Sequence, residues 1–467
     1  MVVLAQGHVP SKLPQASSTL SLKPLKSGSN NTLHLRLLFP HLPAGAPVPQ
    51  LIKGCSNDID HLNQRLYHLE ALALRAYIQS WYTRFTSDRT LLPLIHSTVL
   101  HPLLSQVLNR VYEDPQLVAE WALLSLPILV GTHVKTYWQA RAVEQVLDTR
   151  IADAYHARLP LLSVERSVDG DISIDAPIYT LSSIYLSALA TAMLPTQQPK
   201  VQLILIREVI ARSVLAGGLR RPCFGWFWCS IILRFLGEPE EPAPWCRKFP
   251  SAESPDVSKT FGQVFLLYIT TYFAVLKTIY STIVSIFAFY TASPPAIPKY
   301  RQCTEPIMEM MREGLGVDGW SGTGIKHWRR RIVWGGLEMI VGISSPWIDR
   351  IIPHLLECRL KPALSFHVID ITERLLFPLD GYPGPPPIDP SNEEAIALRI
   401  RAEKRIYEII PYYVKSILCL GQEDIQRLLA PITDAGCNAH LMGMILESLV
   451  ALLIPDLVLK DFRQGKS

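Results

Sequence analysis

Apolar positions crowd one stretch of the chain, Phe261 to Ala292, whose only charge is Lys277 and which stops at Pro294, Pro295 and Pro298. Its polar residues, Thr270, Thr271, Lys277, Thr278, Ser281, Thr282 and Ser285, recur at helical spacing. The pattern therefore predicts one long helix with a narrow polar seam and a wide apolar face. That face needs a cover. At roughly 1.5–3 kcal/mol per large side chain, leaving about twenty of them in water costs tens of kcal/mol, more than the net stability of a domain. A bilayer, other helices, or lipid held between helices would each supply the cover. About 20 apolar residues cross a hydrocarbon core, and this run is longer. Lys277 weighs against a span, because a lysine near the bilayer centre costs about 2.5–3.5 kcal/mol. Burial inside a large helical body is the favoured reading, with a membrane span as its alternative.

Helical periodicity governs most of the remaining chain. From Ile59, the positions Leu62, Leu66, Leu69, Leu72, Leu74, Tyr77 and Ile78 recur near 3.6 spacing, and Trp81 and Tyr82 close that run before a turn at Thr86 to Arg89. Further helices are predicted over 91–110, 115–145, 178–193, 200–215 and 223–236, with polar, Pro- and Gly-punctuated loops over 163–177 and 237–259. The fold class expected is all-α.

Composition narrows the class of protein. Apolar residues make up 48% of 467 and charged residues 18%, with a mean hydropathy of +0.18. This surplus points to lipid contact or extensive burial. A net charge of +4 is too weak and diffuse for a nucleic-acid partner. The eight cysteines show no metal-ligand spacing, so buried free thiols in a reducing compartment are expected. Residues 1–57 contain no acidic residue and many Ser and Pro, and arginine is sparse for a transit peptide. They are expected to form a disordered basic leader. Within it, Leu33 to Leu42 is apolar enough to dock on the body or on a membrane.

Candidate chemistry is thin. Gly314, Gly316 and Gly319 match GxGxxG, but no strand precedes them, so a turn is expected rather than a dinucleotide site. No metal site, cofactor or catalytic constellation is expected, and the chain is read as a non-enzyme. His133 and His440 are expected to be hydrogen-bonded structural residues, and Glu208 to pair with Arg207 or Arg212 or to cap a loop. The densest basic cluster, Lys326, Arg329, Arg330 and Arg331, stands beside Trp320, Trp328 and Trp334. It is expected to be a solvated face or a site for anionic headgroups.

Three motifs carry a resemblance. Trp81-Tyr82 ends an early helix, His133 precedes Tyr137 and Ala140 on a middle one, and Glu208 precedes Leu215 on a late one. In this order the segment of about 60–236 resembles the PXA domain, the PX-associated helical module of certain sorting nexins. In the second half, Leu375-Leu-Phe-Pro378, a Pro/Gly linker over 381–390, a helix ending before Pro411, Leu420-Gly421, Asn438-Ala-His440-Leu441 and Leu453-Ile-Pro455 follow one another. Over about 320–457 this succession is similar to the sorting-nexin C-terminal domain. No stretch between the two is long enough for a PX or RGS domain, so phosphoinositide reading through PX is not implied.

The resemblance implies two packed helical modules, 58–236 and 320–460, forming an elongated body that encloses an apolar cavity or groove. A loop over 237–260 and the 261–319 helix and connector join them. It also implies a lipid-binding, lipid-transfer or tethering protein on the cytoplasmic face of membranes, at contacts of the endoplasmic reticulum with endosomes, vacuoles or lipid droplets. Its partners would be membrane lipids and organelle-membrane proteins, and a bound phospholipid or other acyl lipid would be its only ligand. The lipid-lining candidates are Phe265, Tyr268, Tyr272, Leu276, Ile279, Ile283 and Phe287. A trafficking scaffold anchored by the 261–292 helix is the competing reading.

Overall fold

The computed structural model describes residues 33–43, 46–87, 89–160, 217–241, 284, 287–288, 290–291, 303–317, 325–359, 362–379, 381–382 and 389–455. Among these the fold is all-α, and the one pair of extended residues is an isolated bridge between Leu379 and Tyr382.

The helices start where local chemistry satisfies their free N–H groups. Ser56 accepts from the Ile59 N–H, and Asp58 and Asp60 occupy the first turn of α2, Asn57–Leu74. This helix continues through a π-helical turn, Arg75–Gln79, to Tyr82. Two longer helices follow, α3 (Leu91–Glu113) and α4 (Pro115–Leu147), each with a π turn of its own, at His96–Leu100 and Trp121–Ser125. A short α5 (Ile151–Arg158) and an aromatic α6 (Gly225–Leu236) complete the described part of the first module.

Within the expected 261–319 connector lies α7 (Thr304–Gly314), and after it comes α8 (Ile325–Arg359), a 35-residue helix with Pro346 and Pro353 inside it. After α9 (Pro362–Leu376), Ser391 and Glu394 form a reciprocal capping box at the start of α10, Asn392–Ile409. Then come α11 (Tyr412–Leu418), α12 (Gln422–Leu429) and α13 (Ala435–Leu453), the last capped by Asp434, which accepts from the Cys437 N–H at 2.8 Å.

The leader departs from expectation where it is described. Residues 1–32 lie outside the described residues, but the stretch after them is folded. Leu33–Leu38 forms α1, and Leu38, Leu51 and Ile52 are buried. Asn63 on α2 pairs with both backbone groups of Ile52, Asn109 on α3 donates to Leu51 O, and Tyr67 donates to Pro49 O. Short apolar pieces between prolines carry no periodicity, yet with side-chain partners for their backbone they become part of the core.

The helices before residue 241 and those after residue 303 do not meet at a simple flat boundary. Between α2 and α9, Ile59 and Leu62 pack with Ile369, while Arg65 pairs with Asp370 and Glu373. Between α6 and α10, Cys229 and Leu233 close on Ala402. There the buried Arg405 donates to Leu236 O, the last carbonyl of α6, and to Glu241 O in the loop after it. Around α13, Cys223, Ala439, Leu441, Met442 and Met444 form one cluster and Tyr137, Tyr155 and Cys437 another. One glycine is required here: a Cβ on Gly225 would sit 2.7 Å from Ile432 O, so only glycine lets α6 start against the 430–433 turn.

Candidate lipid-facing surface

Six of the seven lipid-lining candidates, Phe265, Tyr268, Tyr272, Leu276, Ile279 and Ile283, lie outside the described residues. Phe287 is helical and 60% exposed, as Val284 is at 46%. Close to them Tyr290 stacks on Trp347 of α8 at 4.6 Å between centroids, and the Arg350 guanidinium lies 4.2 Å from the same tyrosine ring. The end of the apolar run therefore rests against α8.

The basic cluster on α8 divides between inside and outside. Trp328 is 66% exposed, and Arg329 and Arg331 are exposed with it. Nothing is described of the Lys326 side chain, and Trp320 lies outside the described residues. Arg330 is the correction: expected among the membrane-facing cations, it is 5% exposed. Its guanidinium donates to Leu315 O, Leu418 O and Cys419 O at 3.1–3.2 Å and pairs with Asp424 at 2.9 Å. Two positions C-terminal to the exposed Trp328, the helix has turned by about 200°, which aims Arg330 at loop carbonyls that no helix bond satisfies. Trp334, also expected beside headgroups, is 2% exposed in a cluster with Leu315, Val317 and Leu420, and its indole donates to Glu338.

The GxGxxG match has a structural role as far as it is described. Gly314 ends α7, Gly316 has φ +61°, and Arg330 holds the carbonyl between them; Gly319 lies outside the described residues. Glu208, Arg207 and Arg212 also lie outside them.

The motif histidines meet at the joint between modules. His133 on α4 donates from Nε2 to Pro431 O at 3.2 Å and, as a neutral ring, accepts at Nδ1 from the Tyr155 hydroxyl at 2.9 Å. Burial is the main reason its pKa falls from the ordinary 6.5 to about 4. Asn438 on α13 donates to Cys223 O and Ile432 O at 2.8 and 2.7 Å. His440 is fully buried, neither ring nitrogen makes a hydrogen bond, and its ring stands 5.2 Å from those of Tyr155 and His156. Burial first, then the neighbouring His156 and His133, lowers its pKa to about 3. These side chains fasten the modules to each other.

The described clefts differ in character. One of about 690 Å³ lies between α7 and α8 and is rimmed by Glu305, Glu309, Arg312, Glu313 and Glu338, a polar lining unsuited to an acyl chain. Another, of about 460 Å³, has walls of Leu38, Phe39, Leu42, Pro93 and Leu94 with His96 and His101 among them. Beneath it the His96 ring pairs with the buried Glu70 at 2.7 Å. Among the described residues no three His, Cys, Asp or Glu side chains group as a metal site would need.

Among the described residues three helices are long and apolar enough to cross a membrane by length and composition: Leu91–Glu113, Pro115–Leu147 and Ala435–Leu453. The periodicity places them in the helical body, and α4 and α13 meet there through Tyr137, Ala140 and Cys437.

The PXA domain family matches residues 60–235, well under half of the chain. The match supports a sorting-nexin-like protein of membrane trafficking. No curated protein and no solved structure matches the chain.

Proposed function

We propose that the chain is a lipid-binding protein working at an organelle membrane, and that it binds rather than chemically converts its ligand. The observation that carries this reading is the apolar run 261–292, with one charge in 32 residues, whose exposed Phe287 lies near its end, where Tyr290 stacks on α8. The PXA match supports the setting. Lipid transfer or tethering at contacts of the endoplasmic reticulum with endosomes, vacuoles or lipid droplets is the activity proposed within it. Phe265, Tyr268, Tyr272, Leu276, Ile279 and Ile283 are proposed to line the acyl site, and membrane lipids and organelle-membrane proteins to be the partners.

A trafficking scaffold is the second reading. The inter-module hydrogen bonds of His133, Asn438 and Arg405 favour it, because they describe a body closed by protein packing. Detergent-free purification followed by mass spectrometry of extracted lipid separates the two. Co-purified phospholipid that is lost from well-folded Leu276→Asp and Ile283→Asp variants supports the carrier. An empty preparation leaves the scaffold.

A further inference from the structure

We infer that α8 carries a membrane-docking stripe, separate from any acyl-holding site, formed by Trp328, Ile332, Met339, Ile343 and Trp347 and directed at the surface of an anionic bilayer. These five side chains are 52–73% exposed. At 100° per residue they fall within an arc of about 100°, whereas Arg330, Trp334 and Asp349, all buried, lie on the opposite side of the helix. The helix therefore has one buried side and one exposed apolar side. One is anchored to the body by Arg330 and by Asp349, which accepts from the Cys303 N–H at 3.0 Å. The other carries no acidic residue between Trp328 and Trp347.

Three features assign a bilayer to this second side. Tryptophans stand at both ends of the stripe, 19 residues or about 28 Å apart and on the same exposed side, so both reach headgroup level when the helix lies in the membrane plane. Arg329 is exposed at the flank of the stripe, where an anionic headgroup would meet it. The stripe also continues into the exposed Val284 and Phe287 through the Tyr290–Trp347 stack, so two apolar surfaces share one end of the molecule. A Cβ built on Gly335, Gly336 or Gly342 meets nothing within 4 Å.

This inference rests on the membrane reading above, and its test separates the two. The full chain is floated with vesicles of phosphatidylcholine alone and with added phosphatidylserine, and bound lipid is extracted from the same detergent-free preparation. Binding to the anionic vesicles is expected, with a loss of roughly tenfold for each of Ile332→Asp and Ile343→Asp. Helical circular dichroism and extracted lipid should be unchanged. Gly336→Asp is the second variant: it adds a charge to the stripe where no neighbour is displaced, and should weaken flotation likewise. The inference is overturned if the variants float like the parent. It is overturned also if all three variants unfold, which would mean the chain itself covers the stripe, for instance with residues 261–283. Conversion of a dimer to a monomer with flotation unchanged would make the occupant a second copy and overturn it too. A parent that holds lipid but does not float overturns the stripe alone. Stripe-dependent flotation without extracted lipid removes the acyl site alone.

Discussion

The Arg330 guanidinium reaches three main-chain carbonyls and the Asp424 carboxylate, so its charge holds the 315 and 418–419 turns against α8. Replacing it leaves those acceptors buried without a donor, which costs about 3 kcal/mol. Arg330→Met should therefore lower the urea midpoint clearly, while Arg329→Met should stay within about 0.5 kcal/mol of the parent. Equal midpoints for the two would refute the assignment of Arg330 to the interior. His133 and His440 predict a pH effect. Both are buried as neutral rings, with pKa values lowered from 6.5 to about 4 and about 3. The unfolded chain therefore takes up protons first as the pH falls. The stability these rings contribute is complete above about pH 6.5 and is lost as the pH drops towards the folded values. Between pH 7 and 5 each accounts for about 2 kcal/mol. Asp434 faces His133 and opposes the shift, whereas His156 adds to that of His440. Denaturant midpoints measured at both pH values should converge in the His133→Gln/His440→Leu variant. An undiminished pH dependence there would place its origin elsewhere.

At the scale of elements, α6 depends on one missing side chain. Gly225→Val forces a Cβ to within 2.7 Å of Ile432 O and should cost about 1–3 kcal/mol, read as a drop in melting temperature. A variant that melts like the parent would show that α6 and the 430–433 turn have room to part. Helix existence was legible in the sequence. The runs 91–110 and 115–145 read from periodicity correspond to Leu91–Glu113 and Pro115–Leu147, because 3.6 spacing records helicity wherever one side is wet. Which side of α8 packs was not legible, because Trp328 and Trp334 are equally apolar and only the partner of each distinguishes them. The folded stretch 33–57 was hidden for a different reason: its order comes from Asn63, Tyr67 and Asn109, residues far along the chain that lend hydrogen bonds to it. The basic residues at the start of α8 were legible as a cluster and not as individuals, since a phase of one residue sends Arg330 inward and leaves Arg329 outside.

For the whole molecule, the PXA-matched segment and the helices after residue 303 share cores. Expressed alone, residues 57–241 would expose the surfaces that α10 and α13 cover, among them Cys223, Cys229 and Leu233. That piece should be poorly soluble or lack cooperative unfolding, and co-expression with residues 303–455 should restore a sharp transition. A soluble, cooperatively melting 57–241 would show the modules to be independent. The motif residues quoted from the sequence lie where the PXA-matched segment meets the later helices: His133 on one side, and Asn438 and His440 on the other. What no motif disclosed is how deeply α13 enters the first module, reaching Trp121 through Ser448 as well as Cys223 through Asn438.

That insertion has a consequence during biosynthesis. The amino-terminal helices leave the ribosome more than 200 residues before Ala435–Leu453 does, a delay of about 10–40 s at ordinary rates of translation. Throughout that interval Cys223, Leu129 and Val130 wait without the methionines of the last helix. The nascent chain is thus a natural client for chaperones, and a ribosome stalled before codon 435 would carry a half-made protein with its seam open.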